Sequence, residues 1–163
     1  MKNSLPPPYH VIIIAQVFHL TKTDGVRLLI KMYVDAATKS QQGPSCAGIL
    51  WVENKQTQEK KLFLGQMSNH EAEFLAVIHG LKWLKEKNKQ NEFITLYTDS
   101  KVVVSTIEKG YVKNPLFAPF LQRLKFLLAD FSNLSVQWQA DTLHKGAHTL
   151  AQQALLQYQR ENH

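Results

Sequence analysis

The chain has 163 residues, enough for one domain with a sizeable core. It is 44% hydrophobic, 10% aromatic and 20% charged, which excludes a disordered or collagen-like chain. One cysteine, Cys46, excludes an internal disulfide framework and a cysteine-based zinc cluster, while 19 Lys and Arg against 13 Asp and Glu leave a net charge of +6 that favours a polyanionic partner.

No apolar run approaches the roughly 18–20 residues of a membrane span, so no membrane partner is expected. The first apolar stretch, Val11 to Ile14, follows Pro6-Pro7-Pro8, is soon broken by Gln16 and His19, and has no clear small-residue cleavage site after it. It does not read as a signal peptide, and the cytoplasm is the expected location. Residues 1–26 read as an N-terminal appendage. Its three prolines cannot enter a sheet interior, Thr21 to Gly25 is turn chemistry, and Val11 to Leu20 fits an extra strand, a short helix or a disordered stretch. The folded domain is expected over residues 27–163.

From Leu28 to Val34 the chain is apolar except for Lys31, as in a strand covered on both faces, and this strand is expected to end at Asp35. Residues 40–45 read as a loop, Ala47 to Glu53 as a second strand, Asn54 to Thr57 as a turn and Lys60 to Gly65 as a third strand. The short turns imply antiparallel pairing. Phe74, Leu75, Val77, Ile78, Leu81 and Leu84 then recur at helical spacing, and Ser68 with Glu71 forms a capping box that starts this helix near Asn69. Phe93 to Thr98 is a fourth strand; Ser100 caps a helix over Lys101 to Lys109 that Gly110 stops. A helix from about Ala118 to Asp130, a strand from Ser135 to Gln139 and a last helix from about Lys145 to Tyr158 complete the order β-β-β-α-β-α-α-β-α. The fold class is α/β: a five-stranded mixed sheet, three antiparallel strands followed by parallel β-α units, with helices on both faces.

Three acids sit where a purely structural acid is a liability. Asp35 and Asp99 each terminate a buried strand, and Glu73 lies near the start of the long helix, in line with small Ala76 and Gly80 that let this helix approach the sheet closely. If the first and fourth strands are parallel neighbours, both aspartates emerge side by side at carboxyl ends of strands, where such sheets place ligands. Three carboxylates that close cannot all ionise without a cation, and hard oxygen ligands suit Mg²⁺ or Mn²⁺.

These residues resemble type 1 ribonuclease H over Leu28 to Leu156. Met32 to Ala37 is similar to that family's first strand and its Asp; Ser68-Asn69-His70-Glu71-Ala72-Glu73 with Ala76 resembles its T-N-x-x-A-E-x-x-A stretch; Leu96 to Ser100 matches hydrophobic-x-T-D-S. The fourth position departs from the pattern. Where the family reads N-x-x-A-D-x-L-A at the last helix, this chain has His144 on the Asn and His148 on the Asp. Asp141, in an A-D-x-L string of its own, is set aside as too close to Trp138 to lie in the last helix. His148 has three readings: a metal ligand, as in Asp-Glu-Asp-His sites of related nucleases; the mark of a degraded site that only binds; or a helix histidine packed near the sheet.

The resemblance implies an endonuclease that hydrolyses the RNA strand of RNA–DNA hybrids with two divalent ions, Mg²⁺ or Mn²⁺, leaving 5′-phosphate and 3′-hydroxyl ends. It implies Asp35, Glu73, Asp99 and His148 as catalytic and metal-binding residues, with Asp35 between both ions, and Ser68, Asn69, Ser100 and His144 at the substrate. Imidazole at the fourth position points to a preference for Mn²⁺. The hybrid is the expected partner, with no obligate protein partner. The alternative is a catalytically inactive nucleic-acid-binding module of the same fold.

Overall fold

The computed structural model describes residues 29–143 and 145–162. The appendage over 1–26 and His144 lie outside the described residues. The expected element order is the observed one: β1 (Leu29–Thr38), β2 (Gln42–Glu53), β3 (Gln56–Ser68), α1 (Asn69–Glu86), β4 (Phe93–Thr98), α2 (Lys101–Lys109), α3 (Ala118–Leu128), β5 (Asn133–Trp138) and α4 (Gly146–Glu161). One five-stranded sheet has the order β3-β2-β1-β4-β5. β1–β2 and β2–β3 are antiparallel; β1–β4 and β4–β5 are parallel.

The first three strands are longer than the sequence pattern suggests. β1 does not end at Asp35 but runs on to Thr38, paired with β2 as far as Thr38↔Ser45. Gly43 and Pro44 therefore lie inside β2 rather than in a loop. β3 does not stop at Gly65, which takes a positive φ of 112° at a register shift opposite Ser45 and Cys46. The glycine absorbs an extra residue as a bulge, and the ladder resumes to Ser68. The β2–β3 hairpin closes in two residues, Asn54 and Lys55, both at positive φ, the geometry that matches the strand twist.

The helix ends follow local chemistry. Ser68 and Glu71 form both halves of the capping box at the start of α1. Ser100 caps α2 by accepting from the Val103 amide, and Gly110 ends it in the left-handed region at φ 70°.

The two sheet faces are covered by different helices. Ile30, Met32 and Val34 are buried toward α1, whose Gly80 lies against Met32 and Val34. The alternate residues of β1 turn to the other face, where Ala37 and Cys46 pack with Ala151, Ala154 and Leu155 of α4. Gly48 of β2, register partner of Asp35, lets α4 come down onto the sheet. A Cβ there would stand 2.2 Å from the Ala147 carbonyl oxygen and 2.4 Å from the Ala151 nitrogen.

Gly48→Ala should therefore lift the start of α4 and cost about 1–3 kcal/mol by overpacking. Thermal unfolding should show this as a Tm lowered by about 2–4 °C per kcal/mol. Gly80→Ala should cost less, because the nearest atoms a Cβ at Gly80 meets are side-chain atoms, of Met32 and Val34 at 3.0 Å and of Leu96 at 3.5 Å. A Gly48→Ala protein with unchanged Tm would refute the close approach.

Candidate active site

The parallel ladder between β1 and β4 closes with the pair Val34↔Thr98. The next residue on each strand is Asp35 and Asp99, so the two carboxyl groups emerge side by side at the carboxyl end of the parallel strands. Asp35 is buried; its Oδ1 accepts from the Ala36 amide at 2.7 Å, and its Oδ2 lies 2.7 Å from Nδ1 of His148. His148 sits in the first turn of α4, at the point where Gly48 admits that helix.

Glu73 enters from the fifth residue of α1, held by three neighbours. The Asn69 side-chain amide donates to its Oε1 at 2.6 Å, the Ser100 hydroxyl donates to its Oε2 at 2.5 Å, and His70 Nδ1 lies 3.2 Å from Oε2. Ser68 is occupied with the capping box, its hydroxyl donating to Glu71 at 2.7 Å. Of the four residues expected at the substrate, Asn69 and Ser100 are thus tied to Glu73 and Ser68 to Glu71.

Asp141 is where the structure departs from the sequence reading. It does lie outside α4, in a short 3-10 turn, Asp141–Leu143. The turn nevertheless folds it back over the strand ends, with its Oδ2 3.4 Å from Nδ1 of His148. One ligand atom from each of Asp35, Asp141 and His148 lies within 4.8 Å of the other two. Helix membership does not decide whether Asp141 reaches the strand ends, because a turn next to the strand end does so without the helix. The sequence signal was an acid three residues after Trp138, at the end of a strand parallel to β4. Gln139, which the sequence did not single out, lines a cavity together with Asp35, Asp99, Asp141, His148 and the Tyr33 and Tyr97 pair, whose rings stack at 5.1 Å.

The electrostatics are those of crowded acids. Burial pushes Asp35 above the ordinary carboxylate range, the Ala36 amide and His148 pull it down, and the charge of Asp141 raises it again. Asp99 is pushed up to about 7, first by burial and then by the charges of Asp35, Asp141 and Glu73. Its Oδ1 is buried with no hydrogen-bond partner, as is Oε1 of Gln139 on the same cavity. Acceptor oxygens without donors, among acids that repel one another, are chemically suited to a hard divalent cation.

Comparison with known proteins agrees with this architecture. A family model described as "Reverse transcriptase-like" matches residues 33–154. The chain is 38% identical over 130 residues to EbsB of Enterococcus faecalis, a protein named no further than as a hydrolase, covering 80% of this chain and 96% of that one. It is 33% identical over 121 residues to a ribonuclease H of Desulforamulus reducens, covering 67% of this chain and 74% of that one. The chain belongs to the ribonuclease H-like family. Among solved structures, the LC11 ribonuclease H1, determined in complex with an RNA/DNA hybrid, superposes with a TM-score of 0.72 at 21% identity, over 79% of this chain and 98% of that one. The expectation of a ribonuclease H-type enzyme stands. No helix among the described residues is long and apolar enough to cross a membrane.

In this ribonuclease H-like site the raised pKa of Asp99 has a definite sign. A carboxyl whose folded pKa lies above its unfolded value favours folding while protonated, and that contribution is lost as pH rises through about 7. With EDTA present, stability should fall between the ordinary carboxylate value and pH 7. Asp99→Asn should remove most of that fall. At pH 8 it should make the metal-free protein more stable by about 1–2 kcal/mol, discounted for solvent screening. Thermal melts of both proteins from pH 4 to pH 8 check this; a variant less stable than the wild type at pH 8 would contradict it.

Proposed function

We propose that this chain is an endonuclease that hydrolyses the RNA strand of RNA–DNA hybrids, leaving 5′-phosphate and 3′-hydroxyl ends. The observation that carries the reading is the placement of Asp35 and Asp99 one residue beyond the last parallel rung, with Glu73 and His148 converging on them. Asp35, Glu73, Asp99 and His148 are the catalytic and metal-binding residues of this proposal. Two divalent ions, Mg²⁺ or Mn²⁺, would supply there the positive charge that activates a water and stabilises the departing 3′-oxygen.

The chain's own residues prepare the site for that charge. Asp35 lies centrally, oriented by the Ala36 amide. Asn69 and Ser100 fix the carboxylate of Glu73, so it is aimed before substrate arrives. Asp99 lines the cavity and has a buried, unpartnered oxygen. Ser68, Asn69, Ser100 and His144 are proposed to meet the nucleic-acid backbone beside the cut. For Asn69 and Ser100 this means contacting substrate while still steadying Glu73. Lys101, with its ammonium 4.8 Å from the centre of the Trp138 ring, places a positive charge at the rim, next to Ser100. Recognition of this kind rests on helix shape and 2′-hydroxyls rather than on base edges. The free, buried Cys46 suits a reducing compartment, and the cytoplasm is where we place the activity.

The hydrogen bond from His148 to Asp35 also supports a second reading, a catalytically silent nucleic-acid-binding module in which imidazole fills the acid's place.

Cleavage of a labelled RNA–DNA hybrid, in Mg²⁺ and separately in Mn²⁺, separates the two. The enzyme reading expects RNA-strand cleavage, faster in Mn²⁺ because imidazole favours softer ions. Asp99→Asn should lower the rate by more than about 100-fold, the upper range for residues that merely support metal ligands. Binding without cleavage in either metal, by folded protein, would establish the silent module instead.

A further inference from the structure

We infer that the turn after β5 supplies the fourth carboxylate of this site, from Asp141, in place of the helix position that His148 occupies. The inference rests on the metal-dependent reading above and extends its ligand set to a residue outside the family motif.

Three observations carry it. The first is reach. Asp35 Oδ2 and Asp141 Oδ2 both face Nδ1 of His148, at 2.7 and 3.4 Å. A ring nitrogen between two carboxyl groups stands where a cation would meet both. The second is the pair of orphaned acceptors. Asp99 Oδ1 and Gln139 Oε1 are buried without partners on the cavity that Asp35, Asp141 and His148 also line. A cavity lined by several carboxylates, with a carboxyl and an amide oxygen left unpartnered, fits a cation better than an anion or an apolar group. The third is that the turn is built and tethered. The Gln139 amide donates to the Thr98 carbonyl at 2.9 Å, the Trp138 indole N–H donates to the Asp99 carbonyl at 2.9 Å, and the Leu143 amide donates to the Ala140 carbonyl at 3.0 Å. These bonds anchor the turn to the strand end that carries Asp99, so Asp141 is positioned by the same backbone that positions the acid opposite it.

The consequence is a change in metal chemistry. With only imidazole at the fourth position, the set leans toward softer ions; with the Asp141 carboxylate added, it regains the hard oxygen that Mg²⁺ prefers. Asp141 therefore matters more for Mg²⁺ than for Mn²⁺, and more for Mg²⁺ than His148 does.

The test is binding rather than turnover. The metal-free full chain is titrated calorimetrically with Mg²⁺ and with Mn²⁺, as wild type, Asp141→Asn, His148→Ala and Asp35→Asn, each first shown to be folded in EDTA by its thermal melt. Asp141→Asn should weaken Mg²⁺ binding by about tenfold or more, Mn²⁺ binding by less, and should cost more Mg²⁺ affinity than His148→Ala. Asp141→Cys separates ligation from mere charge. Titrated with Cd²⁺, it should show thiolate-to-metal ultraviolet absorption beyond the wild-type baseline, since a thiolate takes a soft ion only by direct coordination. Unchanged Mg²⁺ affinity in Asp141→Asn, or no Cd²⁺ absorption in Asp141→Cys, overturns the inference. If Asp35→Asn still abolishes binding, the active-site reading survives that result. If Asp35→Asn also leaves binding unchanged, the metal site itself falls with it.

Discussion

β4 ends where β1 does not. Their parallel ladder closes at Val34 and Thr98, β1 continues along β2, and each strand places an aspartate at the next position. Register alone thus fixes two carboxyl groups side by side, one buried in the sheet and the other with a buried, unpartnered oxygen. Neighbouring like charges resist joint ionisation, and the pKa of Asp99 is raised first by burial and then by the charges of Asp35, Asp141 and Glu73. A fold selected only for stability would remove this conflict with a single Asn. That the surrounding elements instead bring further acids to the same point argues that the conflict is kept for a cation.

The residues that start the helices also build the site. Ser68 and Glu71 satisfy the first turn of α1 and so fix where Asn69 and Glu73 stand. Ser100 caps α2 and donates to Glu73, so one hydroxyl ties the start of one helix to the acid of another. Glycines set the spacing between layers: Gly80 brings α1 onto Met32 and Val34, and Gly48 admits α4 beside Asp35. Local stability and site geometry are therefore the same set of contacts. A change that loosens either helix from the sheet moves an acid as well as a core.

The periodic parts of the fold were legible in the sequence because their signals are local. The apolar spacing in α1, the capping box at Ser68 and Glu71, and Gly110 after α2 each act within a turn or two. The strand ends were not, because Gly43, Pro44 and Gly65 carry breaker chemistry that a long two-sided ladder accommodates, in one case as a bulge. The site divides along the same line. Asp35, Glu73 and His148 sit on regular elements and Asp99 directly follows one, so their convergence follows from topology. Asp141 sits in a short 3-10 turn, and its reach depends on how that turn folds back from β5, which no periodicity encodes.

His148 and Asp141 are best understood together. The resemblance to ribonuclease H leads one to expect four carboxylates, the last on the helix over the strand ends. Here that helix position is an imidazole, and a carboxylate stands at 3.4 Å from it, carried by the turn before the helix. Counting Asp35, Glu73, Asp99 and Asp141, the crowded end of the sheet still carries four acids, and each of the other three acts to raise the pKa of Asp99. A cation entering the site responds to the summed charge and to oxygen atoms within reach, not to which element supplies them. A histidine at the start of α4 therefore does not by itself argue for a silent site, because a carboxylate stands 3.4 Å from it.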